Sequence, residues 1–207
     1  MKTGIVAAFF VIAALGCNAA TDDVSLFDGK TLDGWKVIDF AGKGKTQITN
    51  GVLEIGMGDS LTGVVCTNKP VRMNYEINLE ARKTMGSDFF CGFTFPYASN
   101  SCTLILGGWG GGLVGLSSID GMDASENSSS RNMEFEMNRW YKVRVRVTPA
   151  KIEAWLDDKQ ILNVATEEHL ISMRAGEIEE CAPLGIATWQ TRGEIKNIRL
   201  RKLEEPK

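Results

Sequence analysis

The sequence predicts an all-β fold, a sandwich of two packed antiparallel sheets. Three observations carry this expectation. Several segments alternate apolar and polar residues with a period of two, as half-buried strands do. Turn pairs such as Asn-Gly, Asp-Gly and Pro-Ala punctuate the chain at short intervals. Past residue 20, no stretch carries the 3.6-residue apolar period of a long helix. With 207 residues, 43% hydrophobic and 24% charged, the chain is large enough for one domain with a proper core. Its formal net charge is −3 and no basic block interrupts it, which argues against nucleic acid as a partner.

The chain opens with Lys2 and an uncharged run, Ile5 to Leu15, too short to span a bilayer comfortably. This reads as a signal peptide over residues 1–20, directing export to the periplasm or cell envelope. Two processing routes stay open. Leu15-Gly16-Cys17 resembles a bacterial lipobox, with lipidation of Cys17; the other route is plain cleavage after Ala19 or Ala20. A lipid anchor at Cys17 is the only membrane contact expected. Residues 21–24 read as a short linker and 25–205 as the domain.

Within the domain, Ser25 to Trp35 (SLFDGKTLDGW) brackets Lys30-Thr31-Leu32 with two Asp-Gly turns, and Phe27, Leu32 and Trp35 are its anchors. A strand begins at Trp35. Gln47 to Thr49, Asn50-Gly51 and Val52 to Ile55 form a hairpin, since Asn-Gly is a strong two-residue turn signal. Leu61 to Cys66 is a short strand. Asn74 to Arg82 puts Tyr75, Ile77, Leu79 and Ala81 on one face and Glu76, Asn78, Glu80 and Arg82 on the other. Asp88 to Phe95 is more apolar and central. A hairpin around Pro96 to Asn100 would place Phe95 opposite Ser101, Cys102 opposite Thr94 and Cys91 opposite Ile105. Asp120 to Asn132 is a long polar loop. Trp140 to Thr148 alternates, Ile152 to Leu156 follows, and Asp157-Asp158 turns into Gln160 to Val164. Glu167 to Arg174 is a helical turn or a loop. Leu184 to Trp189 and Glu194 to Leu203 close the domain.

Cys66, Cys91, Cys102 and Cys181 are an even set, and export permits disulfides. Buried free thiols are the equal alternative. Trp35, Trp140 and Trp155 fall within strand patterns and read as core.

One stretch does not look like ordinary scaffold. Cys102 to Leu106 and Leu113 to Leu116 flank Gly107, Gly108, Gly110, Gly111 and Gly112, with Trp109 alone among them. Glycine within a strand pattern marks a bend or a place where something approaches the backbone closely. Gly110 to Gly115 fits G-x-G-x-x-G as a string, but no helix pattern follows, so it is not a dinucleotide loop.

Taken in order, several motifs resemble one known family. They are Leu26-Phe27-Asp28-Gly29-Lys30-Thr31-Leu32-Asp33-Gly34-Trp35, Thr67-Asn68-Lys69-Pro70, the strand ending Leu79-Glu80-Ala81-Arg82, Asn138 to Val145, Ile152 to Asp157, and Pro183-Leu184-Gly185-Ile186 before Ile195 to Leu200. The set resembles the 3-keto-disaccharide hydrolase domain family across Ser25 to Leu203. The resemblance implies a concanavalin A-like jelly-roll sandwich and hydrolysis of glycosides oxidised at the sugar 3-position. The chain departs from the family pattern in two places. Gly107 to Gly112 stands where members often carry Glu-x-Gln, and Ala187-Thr188-Trp189-Gln190 where they often carry Gln-Asp-His-Gly. A non-catalytic carbohydrate-binding sandwich on the cell surface is therefore the alternative function.

The site expected from these residues is a pocket on the concave sheet. Sugars present flat C–H faces that stack on aromatic rings and hydroxyl edges that want polar partners. Trp109 and Trp189 are the stacking platforms, with Gly108 and Gly110 exposing backbone beside them. Asp88 and Asp120 are the catalytic carboxylates, Asp88 as base and Asp120 at the rim. The lone His169 excludes a multi-histidine metal centre and reads as structural. Asp120, Asp123 and Glu126 read as solvated loop carboxylates or, alternatively, as ligands of one Ca²⁺; otherwise no metal and no cofactor is expected. Asn127-Ser128-Ser129 is a glycosylation sequon by letter only. Nothing in the sequence fixes an oligomeric state.

Overall fold

The computed structural model describes residues 23–204; the expected leader, with Cys17 and both cleavage sites, lies outside the described residues. The strands are β1 Asp23–Ser25, β2 Trp35–Val37, β3 Thr46–Thr49, β4 Val52–Ile55, β5 Leu61–Cys66, β6 Tyr75–Gly86, β7 Cys91–Tyr97, β8 Asn100–Gly108, β9 Leu113–Ser117, β10 Arg131–Asn132, β11 Tyr141–Val147, β12 Lys151–Leu156, β13 Lys159–Ala165, β14 Gly185–Trp189 and β15 Thr191–Lys202. The helical element among the described residues is one 3-10 turn, Glu177–Cys181. The strands form two antiparallel sheets packed as a jelly-roll sandwich. One sheet has eight strands in the order β13-β12-β11-β6-β15-β4-β3, with β1 paired to β15 beside that path. The other has seven, in the order β10-β9-β8-β7-β14-β5-β2.

The period-two pattern decides which face each side chain takes. In β6, Tyr75, Ile77, Leu79 and Ala81 point to the core, while β11 and β15 pair along its two edges. Phe93, Phe95, Leu104, Leu106, Leu116 and Ile186 meet them from the seven-stranded sheet. Burying each such side chain contributes about 1.5–3 kcal/mol, so the alternation is the main force setting register. β15 interrupts it once. Asn197 adopts a positive φ of 55°, the pairing with β6 shifts between Lys196 and Arg199, and Ile195, Ile198 and Leu200 all reach the core. Such a bulge inserts a residue and restores the inward face beyond it.

Turn chemistry fixes the hairpins. Asn50-Gly51 and Asp157-Asp158 both hold two consecutive positive φ angles, as two-residue hairpin turns of the right twist require. The β7–β8 turn is also short, with Tyr97 opposite Asn100. Its register is therefore one residue off the expectation: Phe95 faces Cys102, Thr94 faces Thr103 and Cys91 faces Leu106.

Other expectations meet mixed outcomes, some corrected and some decided between the alternatives left open. Asp23 and Val24, read as linker, belong to β1 and pair with Arg201 and Leu200. The segment from Glu167 to Arg174 is loop, and the helical turn comes later, at Glu177–Cys181. Cys66, Cys91, Cys102 and Cys181 are free thiols, all buried. Burial pushes Cys91, Cys102 and Cys181 up to about 12. Trp35 is core, and its indole N–H donates to Leu26 O at 2.7 Å. Trp140 and Trp155 are not core. They lie half-buried on the outer face of the eight-stranded sheet, beneath Arg82 and Lys196 and beneath Arg144 and Arg146 respectively. Trp155 occupies an outward phase of β12, opposite Arg144, and cation–π stacking supplies the cover the core would have given.

Candidate functional site: a cavity on the outer face of the seven-stranded sheet

The outward phase of the seven-stranded sheet mixes glycine and small hydroxyl side chains with an apolar cluster that includes Leu61, Ile105 and Leu113. Thr103, Ile105 and Ser117 alternate with the core residues Leu104, Leu106 and Leu116 on β8 and β9. Together with Leu61 and Phe89 they floor a cavity of about 370 Å³. That lies within the size range of small-ligand sites, about 300–1,000 Å³. Trp109 and Trp189 stand at its margin with 45% and 37% of their surface exposed, among the few large apolar side chains left to solvent. Asp88 lines it beside them. The fold thus brings these three residues to one cavity.

Backbone chemistry sets each one. The turn after β8 runs through positive φ at Trp109, Gly110 and Gly111 (48°, 86° and 110°), which throws the indole outward. The Asp88 carboxylate holds that turn, accepting the Gly110 N–H at 3.1 Å through one oxygen and the Phe89 N–H at 2.8 Å through the other. Asp88 is itself anchored, its N–H donating to Thr191 Oγ1 at 3.0 Å. The Gly110 N–H is therefore already used and is not offered to a ligand. At Gly108, a Cβ would meet the Ile105 side chain at 2.7 Å, so this glycine serves packing. Trp189 ends β14, where its N–H donates to Phe89 O at 3.1 Å and Gln190 turns back to Ser60.

The far wall was not legible in the sequence. Arg174, Ala175, Glu177 and Ile178 close the cavity on the side opposite the open sheet. They belong to a strap laid over the sheet and pinned by Cys181, which is fully buried against Leu61 and Ala187. The apolar pair Ile178 and Cys181 in an otherwise acidic run was the only signal of this docking. A second loop covers β9. Gly115 has no Cβ because one would lie 2.8 Å from Ala124 O. Asn127 pins this loop from within: its amide donates to Leu116 O, Met122 O and Asp123 O, while its Oδ1 accepts from Ser129. That amide is buried and fully engaged, so the sequon is structural.

Asp120 is not among the residues that line the cavity. It sits at the tip of a tight turn, Asp120-Gly121, closed by reciprocal hydrogen bonds between Ile119 and Met122. One carboxylate oxygen accepts the Leu170 N–H at 2.8 Å, and the other lies 2.6 Å from His169 Nδ1. The His169 hydrogen bond, then the Leu170 amide, hold this carboxyl below the usual carboxylate range. Ser118 and Ser172 exchange backbone hydrogen bonds alongside. Asp120 and His169 thus clasp the two loops that flank the site. The three loop acids do not gather: Asp120 turns to His169, and Asp123 to Ser125 and Arg174. Among the described residues, no group of three or more His, Cys, Asp or Glu converges as a metal site would require.

Comparison with known proteins decides the relationship. The model of the 3-keto-alpha-glucoside-1,2-lyase-like domain matches residues 22–201. The chain belongs to that family. Membership gives this 3-keto-alpha-glucoside-1,2-lyase-like domain a carbohydrate-related role. No curated protein matches it. Among solved structures, the carbohydrate-binding module CBM66 from Bacillus subtilis aligns at TM-score 0.56 and 12% identity, over 82% of this chain and 96% of that one. The β-glucanase of Bacillus licheniformis aligns at 0.55 and 10%, over 90% and 100%. A Crh5 transglycosylase in complex with NAG aligns at 0.61 and 9%, over 91% and 86%. At these identities the likeness is one of fold.

Proposed function

We propose that this is an exported carbohydrate-active enzyme that binds a 3-keto-glycoside in the outer-face cavity and cleaves its glycosidic bond. One observation carries the reading: two half-exposed indoles and a carboxylate, Trp109, Trp189 and Asp88, share one cavity of small-ligand size. The indoles stack on the pyranose faces, each contributing on the order of 1 kcal/mol. Export rests on the leader pattern of residues 1–20, with Cys17 as the lipidation site if the lipobox route is taken.

The chemistry needs only one base. A ketone at C3 acidifies the C2–H bond. The Asp88 carboxylate takes that proton, for which its oxygens retain lone pairs beyond the two amide contacts. The electron pair passes to the keto oxygen, then returns as the C1–C2 double bond forms and the C1–O bond breaks. The departing oxygen takes a proton from water, and the hydroxide left behind takes the proton held on Asp88, which restores the carboxylate. Addition of water to the C1–C2 double bond makes the overall outcome hydrolysis.

A non-catalytic carbohydrate-binding module is the second reading, favoured by the use of both Asp88 oxygens in holding the Gly110 turn. Incubation of the purified protein with 3-keto-trehalose or 3-keto-lactose separates the two. Sugar release by the wild type, abolished in Asp88→Asn with binding retained, is the expected result. Binding without release by the wild type overturns the enzyme reading and leaves the module.

A further inference from the structure

We propose that Arg174 is the group that meets the keto oxygen of the substrate and stabilises the enolate formed there. The inference rests on the 3-keto-glycoside reading and adds a residue and a step to it.

Arginine side chains in this protein are almost all spent. Among the described residues, Arg82, Arg139, Arg146, Arg192, Arg199 and Arg201 donate to carboxylates, and Arg72 and Arg131 donate to backbone carbonyls. Arg144 lies over the Trp155 ring at 4.0 Å. Arg174 differs. Its one polar neighbour is Asp123 Oδ2 at 3.5 Å, beyond a tight hydrogen bond, and its side chain is 58% exposed. The ring of Trp109 is 5.8 Å away, too far for close stacking. Asp123 is itself fixed, because its other oxygen accepts from the Ser125 N–H at 2.9 Å and hydroxyl at 2.6 Å. The guanidinium is thus drawn to the cavity side by one loose ionic contact while nearly all of its five N–H donors stay free.

Those donors stand on the cavity wall, where Arg174 is the single cation among the lining residues and Asp88 and Glu177 are the acids. Proton abstraction from C2 moves negative charge onto the C3 oxygen. A cation beside that oxygen strengthens its interaction as the charge develops, which is the requirement for lowering the barrier rather than merely tightening binding. The step balances: the C2–H pair becomes the enolate, the proton resides on Asp88, and Arg174 gives hydrogen bonds without losing a proton.

The experiment uses methyl 3-keto-α-glucoside and methyl α-glucoside as probes. Exchange of the C2 hydrogen in deuterated water, followed by NMR, reads enolate formation apart from bond cleavage. Calorimetric titration reads binding. For Arg174→Ala we expect C2 exchange and kcat to fall by about a hundredfold or more, with KM changed far less, and partial recovery in Arg174→Lys or with added guanidinium. The variant should also lose the wild type's preference for the keto probe over the plain glucoside. Wild-type exchange rates in Arg174→Ala, or parallel losses of binding and turnover with the keto preference intact, overturn the proposal. If the wild type shows neither exchange nor cleavage, the enzyme reading fails by itself. The keto preference then decides Arg174: kept in Arg174→Ala, it rejects the residue as the keto-oxygen partner.

Discussion

The two outer faces of the sandwich are built by the same alternation of strand residues, yet they differ in what they leave unsatisfied. On the eight-stranded sheet, many charges meet a complement on the next strand. Glu76 is directly opposite Arg146 on β11 and Arg201 on β15, and its carboxylate lies 3.0 Å and 2.9 Å from them. Arg82 is opposite Glu194, and Glu80 is opposite Lys196, each pair in ionic contact. The tryptophans of this face are covered by cations. On the seven-stranded sheet, the outward residues are small or apolar, the cover comes from two loops, and the tryptophans at the margin stay bare. Closed ladders stabilise a sheet, whereas a ligand site needs groups whose partners are missing until the ligand arrives. The difference lies less in residue type than in which indoles and guanidiniums remain unpaired.

The largest effect that would sharpen this contrast is at Glu76. Its removal leaves Arg144, Arg146 and Arg201 without their shared, buried acceptor. Loss of one partner from a buried ion cluster costs about 3 kcal/mol or more. Glu76→Ala should therefore lower the urea midpoint markedly while leaving sugar affinity unchanged. A midpoint near wild type would mean that the ladder is decoration.

A smaller effect separates the indoles by stability. Trp155→Ala strips the stacking surface from two arginines and should cost about 1 kcal/mol in chemical denaturation. Trp109→Ala, with no packed partner to lose, should stay within about 0.5 kcal/mol of wild type. The reverse order would place structural cover on the wrong face.

The smallest concerns the loop clasp, through pH. Asp120 titrates below the ordinary carboxylate value, because His169 and the Leu170 amide bond its charged form. A depressed carboxyl contributes its stabilisation above the ordinary pKa, about 3.9, and loses it as pH falls through the lowered value. Hydrogen exchange at Leu170 should therefore quicken below that range, relative to β6 amides, and Asp120→Asn should remove the difference. An acid response unchanged in Asp120→Asn would mean that other groups hold the loops.

The fold was legible in the sequence because burial enforces alternation and because Asn50-Gly51 and Asp157-Asp158 have few conformational choices. The convergence of Trp109, Trp189 and Asp88 was legible too, through the glycines and the bare indoles around them. Trp140 and Trp155 were misplaced because an outward indole under arginine carries the same local pattern as a core indole; only the cross-strand register reveals the cation. Asp120 looked free because its partner, His169, comes 49 residues later. Arg174 and Glu177 were missed for a similar reason. The strap that carries them is positioned by the burial of Cys181 against Leu61 of β5, far back in the chain, and no local periodicity records that contact.

The central claim is that sugar is read by the bare indoles of the seven-stranded sheet and not by the covered ones of its partner. Calorimetric titration of wild type, Trp109→Ala, Trp189→Ala and Trp155→Ala with methyl 3-keto-α-glucoside tests it most directly. The account predicts saturable binding to the wild type and to Trp155→Ala with equal affinity. It predicts roughly fivefold weaker binding to Trp109→Ala and to Trp189→Ala, as about 1 kcal/mol of stacking implies. Undiminished affinity in both Trp109→Ala and Trp189→Ala, or a loss in Trp155→Ala as large as theirs, would contradict it.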